Sequence, residues 1–219
     1  MRMKTAIENG VLKVEIPLEG ITIRRNVINV RGRKPNGLFD YEIVPMSVEM
    51  EEITKNLLSD PGRTYLKVKC GDKRMENISI LLSCLLYNAS GPAHTIAGGS
   101  GIPSRLISEL SHLPEGEGKE KFLGEIETVA KSSWINYAKF AKIFKCNGGI
   151  FLEHSDCHGW SNVIFKSPEE ENDMHLQAAI LLASQKGEQF KEIDEFFAVY
   201  VQFNGEKVIS IDIYYFVFS

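Results

Sequence analysis

The chain has 219 residues, 43% of them hydrophobic and 25% charged, with a formal net charge of −4. That composition excludes a disordered or fibrous protein and is long enough for one domain, or two small ones, with a real core. Its longest apolar run, Ile78 to Tyr87, is about half of a membrane span, and the first ten residues lack the apolar stretch of a signal peptide, so a cytoplasmic chain with reduced thiols is expected.

Residues 11–44 read as β structure. Val11 to Ile16 alternates apolar with charged residues, the period-two pattern of a half-buried strand. Ile21 to Ile23 and Val27 to Val30 repeat it after Pro17 and Gly20. Arg31 to Gly37 is a turn with Asn-Gly chemistry leading into a strand from Leu38 to Val44, which together predict an antiparallel meander. A helix follows, with Ser47 as N-cap, acidic residues in its first turn and Ile53, Leu57 and Leu58 on one face. Asp60-Pro61-Gly62 ends it, and Tyr65 to Cys70 is the next strand.

Ile78 to Tyr87 is too uniformly apolar for periodicity to decide; its leucines favour a buried helix, with Cys84 acting as a small hydrophobe inside it. Asn88 to Gly101 reads as the longest loop. Pro103 opens a helix through Leu110. Glu120 to Phe144 is helical, with a predicted interruption near Lys131-Ser132-Ser133, and Asn147-Gly148-Gly149 closes it. Val163 to Phe165 reads as a brief strand, Ser167 to Asp173 as an acidic solvated loop, and Met174 to Lys186 as an amphipathic helix. A terminal hairpin turns at Asn204-Gly205, between Ala198 to Phe203 and Val208 to Phe218. The order is strands, helices, strands, which predicts α+β: an N-terminal antiparallel β meander, a central helical segment and a C-terminal hairpin. The expected organisation is a single domain over 1–219, with a division into a β-rich 1–72 and a helical 73–219 as the alternative.

Charge is unevenly placed. Residues 1–35 carry eight Lys/Arg against three Asp/Glu, a balance of +5, while the rest carries −9. Arg24, Arg25, Arg31, Arg33 and Lys34 concentrate the positive part. The segment permits a nucleic-acid partner, but the overall acidity opposes one, because neutralising phosphates needs a broad basic face. The run Glu169-Glu170-Glu171 with Asp173 reads as a solvated acidic face.

The chemically loaded stretch is Cys146 to Trp160, which holds Cys146, His154, Ser155, Asp156, Cys157 and His158. Two Cys and two His are the right inventory for tetrahedral zinc. The spacing is wrong, since adjacent Cys157 and His158 rarely both reach one ion, and no metal or other cofactor is expected. A nucleophilic reading fits better: a thiol needs a nearby base to form thiolate near neutral pH, and His154 or His158 lies close, with His94 and His112 more distant. The candidate catalytic residues are therefore Cys157, His154, His158 and Asp156. A shaped loop competes with this reading, with Ser155 and Asp156 satisfying backbone donors and Cys157 packed inward. The Gly-rich loop from Ser90 to Gly101 lacks the Gly-Lys-Ser/Thr of a phosphate loop. Its His94, Gly98, Gly99 and Ser100, together with Trp160, are the candidate ligand-binding residues.

Phe151 to Gly159, with His154-Ser155-Asp156-Cys157 at its centre, resembles the His-Ser-Asp-Cys-Asp-Gly stretch of a group of small uncharacterised bacterial proteins. The resemblance extends over about residues 134–160 and takes in Trp134-Ile135-Asn136-Tyr137. This chain places His158 where the group has an acid and has no second Cys shortly downstream. The resemblance implies a site and no particular activity. Asp156-Cys157-His158-Gly159 after an apolar run also resembles the strand-delivered cysteine of caspase-like proteases, without their upstream Ser-Gly-His-Gly.

Two functions stay open at this stage. One is a non-catalytic binding or accessory protein of immunity, anti-defence or regulatory type, acting on a protein partner through its surface and not on a membrane. The other is a cysteine-dependent hydrolase using Cys157 with His154 or His158.

Overall fold

Alternation along the N-terminal third produces antiparallel pairs, as the sequence predicts. In the computed structural model, which describes residues 4–8, 11–15, 20–96, 102–157, 163–186 and 192–219, strands β1 (Lys4–Glu8) and β2 (Val11–Glu15) form a separate two-stranded sheet. Strand β3 (Thr22–Arg33) turns at Lys34 to Leu38 into β4 (Phe39–Pro45). Gly37 sits in that turn at φ 81°, a left-handed conformation that a glycine adopts without steric cost.

Helix α1 (Val48–Ser59) begins where its cap residue says it should, since Ser47 Oγ accepts the Met50 N–H at 3.2 Å. Strand β5 (Tyr65–Cys70) follows, then the short helices α2 (Lys73–Asn77) and α3 (Ser79–Leu85). The apolar run is thus helical. Its Cys84 is exposed, however, because the helical repeat turns Leu81, Leu82 and Leu85 inward and leaves Ser83 and Cys84 outside.

The expected loop from Asn88 to Gly101 contains a strand, β6 (Ala93–Ile96), which lies parallel to β5. Gly91 makes this possible. It sits at φ 134°, and a Cβ there would lie 1.9 Å from the Tyr65 carbonyl oxygen. Composition marks such glycines as flexible, whereas here one is held against a neighbouring backbone.

Helix α4 (Ile102–His112) carries Pro103 in its first turn, and α5 (Glu117–Ile143) runs unbroken through Lys131-Ser132-Ser133. Ser133 Oγ donates to the Val129 carbonyl one turn back, so its hydroxyl is satisfied without breaking the helix. Strand β7 (Gly148–His154) comes next. Val163 to Phe165 is irregular, not a strand. The acidic stretch is not a solvated loop either: it opens helix α6 (Pro168–Ser184), with Ser167 Oγ accepting the Glu170 N–H. Three glutamates in the first turn face the positive end of the helix dipole. From Met174 to Ala183 every residue of α6 is buried, so this helix is packed all round and has no polar stripe.

Strands β8 (Glu195–Asn204) and β9 (Lys207–Phe218) form the C-terminal hairpin. The large sheet has seven strands in the order β4-β3-β9-β8-β7-β5-β6. Strands β3 and β4 therefore share one sheet with the C-terminal hairpin, through nine parallel pairs from Thr22↔Ser210 to Val30↔Phe218. From β8 outward through β7 and β5 to β6 all pairings are parallel.

Both faces of this parallel part are covered. Phe196 and Phe197 are neighbours on β8 and point to opposite sides. Phe196 meets Trp134 of α5, while Phe197 meets Tyr65, whose hydroxyl donates to the Leu57 carbonyl of α1. Helix α6 also reaches the outer strand, where the Gln177 side chain accepts the Phe39 N–H at 2.7 Å and donates to the Phe39 carbonyl at 3.1 Å. A single amide thus closes one residue of the open sheet edge.

Two glycines give opposite expectations. Gly91→Ala should lower the unfolding free energy by about 2 kcal/mol or more, because backbone has to move. Gly124→Ala on α5, where an added Cβ meets nothing within 4 Å, should raise it by about 0.5–1 kcal/mol. Urea denaturation of both variants measures the two shifts.

Candidate functional site

Parallel pairing of β5 with β7 ends at Lys69↔Leu152, so the carboxyl ends of these strands lie side by side. Cys70 is the last residue of β5 and His154 the last of β7. Cys157 follows in the turn after β7. The ligand atoms of these three side chains lie within 4.8 Å of one another, and the two sulfurs are 3.5 Å apart. All three are buried: His154 is 0%, Cys157 3% and Cys70 5% exposed.

The turn that delivers Cys157 is held from several sides. Ser155 N–H donates to the Val201 carbonyl and Ser155 Oγ accepts the Phe203 N–H at 2.8 Å, which ties the turn to β8. Asp156 is exposed and adopts φ 54°, the left-handed conformation that Asp tolerates better than most residues. Its N–H donates to Glu171 Oε1 at 3.0 Å, and Arg74 donates to its carbonyl.

His154 is oriented by its own turn. Nδ1 lies 2.7 Å from the Ser155 carbonyl, which can only accept, so Nδ1 carries the proton and Nε2 the lone pair of the neutral ring. Nε2 faces the Cys70 thiol and lies 3.8 Å from Asp72 Oδ2. Burial lowers the ring's basicity, but Cys70, the Ser155 carbonyl and Asp72 together outweigh it, and the pKa rises above the usual histidine value. Asp72 is also the N-cap of α2, accepting the Arg74 N–H at 2.7 Å, and the Arg74 guanidinium grips both its oxygens. These bonds hold its carboxyl at about 2. Arg74 lies over the Phe203 ring, whose edge meets His154.

The loaded stretch of the sequence is thereby split. Cys146 precedes β7 and His154 ends it; at roughly 3.3 Å per residue the two ends are about 20 Å apart. Cys146 is buried, and desolvation pushes its thiol up to about 11. The second thiol beside His154 and Cys157 is Cys70, eighty-odd positions earlier in the chain, which no local motif could supply. Asp72 was also missed; its only sequence signal is a carboxylate two residues beyond a strand-ending cysteine.

Among the other candidates, His94 lies on β6 in register with Val68, and its side chain falls outside the described residues. Gly98, Gly99, Ser100, His158, Gly159 and Trp160 also lie outside them. His112 is at the end of α4 with Nδ1 on the Ser108 carbonyl, and it lines a surface pocket of about 640 Å3 with Phe122 and Ile164. Another pocket, of about 400 Å3, is lined by Lys142, Cys146 and Ile193. His154 and Cys157 line neither of these two pockets.

A second buried polar pair sits next to the cluster. Glu153 of β7 accepts from His175 Nδ1 of α6 at 3.2 Å, with both side chains almost fully buried. The basic N-terminal residues are paired: Arg24 with the buried Asp212, Arg25 with Glu51, Arg31 with Glu42, Arg33 with Glu127 and Lys34 with Asp40. Among the described residues, no helix is long and apolar enough to cross a membrane. Comparison with protein-family models, curated proteins and solved structures found no match.

Ser155 carries more of this turn than Asp156 does. Ser155→Ala strips the Phe203 N–H of its buried acceptor and should cost about 1–3 kcal/mol. Asp156→Gly keeps the backbone bonds and relieves the left-handed conformation, so its effect should stay within about 0.5 kcal/mol of neutral or stabilise. Thermal or urea unfolding of the two variants separates them.

Proposed function

We propose that the protein works by binding, as an accessory or regulatory protein that meets a protein partner through its surface, and that Cys157 is not a catalytic nucleophile. The observation that carries this reading is the burial of the Cys157 thiol against the Cys70 sulfur. A nucleophile has to reach a substrate carbonyl at bonding distance, and this sulfur is occupied on one side and sealed from solvent. Both pockets described above lie away from it.

A protein partner is supported by the outer strand. Beyond Phe39, the outer edge of β4 has no neighbouring strand among the described residues. It carries exposed Ile43, and the helix that follows exposes Val48 and Ile53. Edges of this kind accept an added strand. Nucleic acid is less well supported, since each of the five clustered cations already faces a carboxylate and phosphate binding needs unpaired ones.

The proximity of His154 to Cys157 favours the second reading, a cysteine hydrolase, and one measurement separates the two. Native, reduced protein is treated with iodoacetamide at neutral pH, and the modified cysteines are mapped by mass spectrometry. Cys84, which is exposed, should react first, and Cys157 about tenfold or more slowly, as expected for a buried thiol. Faster alkylation of Cys157 than of Cys84, lost in His154→Ala, would instead establish an activated nucleophile and overturn the binding reading.

A further inference from the structure

The distance between the two sulfurs discriminates between the chemistries open to them. A disulfide requires about 2.05 Å, whereas two thiolates at about 2.3 Å from one zinc ion, on tetrahedral corners, stand about 3.8 Å apart. The observed 3.5 Å rules out a disulfide and is close to the second value, a separation that two protonated thiols in contact also adopt. An independent observation comes from His154. Its Nε2 is fully buried and faces the Cys70 thiol, a weak donor, without a hydrogen bond of normal geometry, although its ring is fixed by Nδ1. A buried imidazole lone pair met only weakly by a thiol is poorly satisfied, and a cation can take it. An Nδ1–H held by a backbone carbonyl is the arrangement that orients metal-ligating histidines.

We propose that Cys70 Sγ, Cys157 Sγ, His154 Nε2 and an Asp72 carboxylate oxygen form a binding site for a thiophilic divalent cation, zinc being the ion this donor set selects. Thiolate and imidazole favour zinc over the hard cations, and four protein donors match its structural coordination. Asp72 Oδ2 stands 3.8 Å from Nε2, so it closes by about 0.4 Å to reach the N–O edge of a zinc tetrahedron. Arg74 gives this carboxylate three N–H donors, one of them shared between the two oxygens, against about four acceptor sites, which leaves room for one further ligand bond.

Charge also balances. Binding releases one proton from each thiol to solvent; the two thiolates neutralise the dication, and Arg74 offsets the remaining carboxylate. Arg74 and Phe203 then form the outer layer, one by hydrogen bonds to Asp72 and the other by ring contact with both His154 and Arg74. The ligands come from two adjacent parallel strands and the residues just after them, so an ion there pins the start of α2 to the turn after β7. This site goes beyond the binding function proposed above and does not depend on it.

The test uses the whole chain, purified under reducing conditions without chelator. Elemental analysis should find about one zinc per chain. After zinc removal, titration with cobalt(II) alone should saturate at one ion per chain. It should show thiolate-to-cobalt charge transfer together with the intense visible bands of tetrahedral cobalt, and two protons released per ion. Cys157→Ser should abolish the charge-transfer signal expected of two thiolates, Asp72→Asn should weaken binding about 10–100-fold, and Cys84→Ser and Cys146→Ser should change nothing. If Cys157→Ser does not fold, the wild-type cobalt spectrum and proton count decide alone. A reduced, folded wild-type chain that binds no stoichiometric zinc or cobalt overturns the proposal. So does a cobalt signal that requires Cys84 or Cys146 instead.

Discussion

The parallel register of β5 against β7 is the constraint on which the site depends. Every residue of β7 is buried, because helices cover the sheet on both sides and β5 and β8 flank the strand. A strand in that position has no freedom to slip, since a shift by one residue would exchange its two faces. Gly148 shows how tightly the register is fixed. An added Cβ there would lie 2.6 Å from the Tyr65 ring and 2.9 Å from the Glu195 carbonyl. With that end fixed, the other end of β7 can only arrive beside Cys70, and the thiols and imidazole meet as a consequence of strand pairing.

Legibility in the sequence followed the range of the interactions. Elements set by local chemistry were readable: the alternation of β3 and β4, the Ser47 cap, the Asp60-Pro61-Gly62 stop, and the Asn204-Gly205 turn between β8 and β9. The errors fall where tertiary packing overrides local pattern. β6 is four residues in a Gly-rich stretch, and only its pairing with β5 makes it a strand. The acidic run before Met174 is helical because Ser167 caps it and the buried remainder of α6 holds it. The antiparallel N-terminal pairs and the C-terminal hairpin were visible separately, but the parallel β3–β9 register joining them has no signature in either segment.

The site divided along the same line. His154, Ser155, Asp156 and Cys157 stood out because ionisable and thiol side chains crowd a short stretch after an apolar run, and the structure brings two of them together. Sequence distance alone groups Cys146 with them. A strand between the two thiols reverses that inference, because they lie beyond opposite ends of β7. Cys70 looked like an ordinary strand-ending residue, and its importance depends on a pairing across more than eighty residues. Adjacent Cys157 and His158 argued against zinc within one loop; two parallel strand ends remove that objection by supplying a second thiol from elsewhere.

Glu153 and His154 show why the cluster is more than a tolerated group of buried polar residues. They are neighbours on one fully buried strand and point to opposite faces, so each has to find partners independently. Glu153 finds His175 on α6, whose Nδ1 lies 3.2 Å from its carboxylate. His154 places Nδ1 on the carbonyl of the next residue and directs Nε2 toward two sulfurs and a carboxylate. A core selected for stability alone would place an apolar side chain there, as it does at Ile150 and Leu152 earlier on the same face. The unfavourable choice is made once on that face, at the end of the strand where Cys70, Cys157 and Asp72 converge. A bound cation turns that cost into cohesion, holding together two loops that the sheet brings close but does not itself connect.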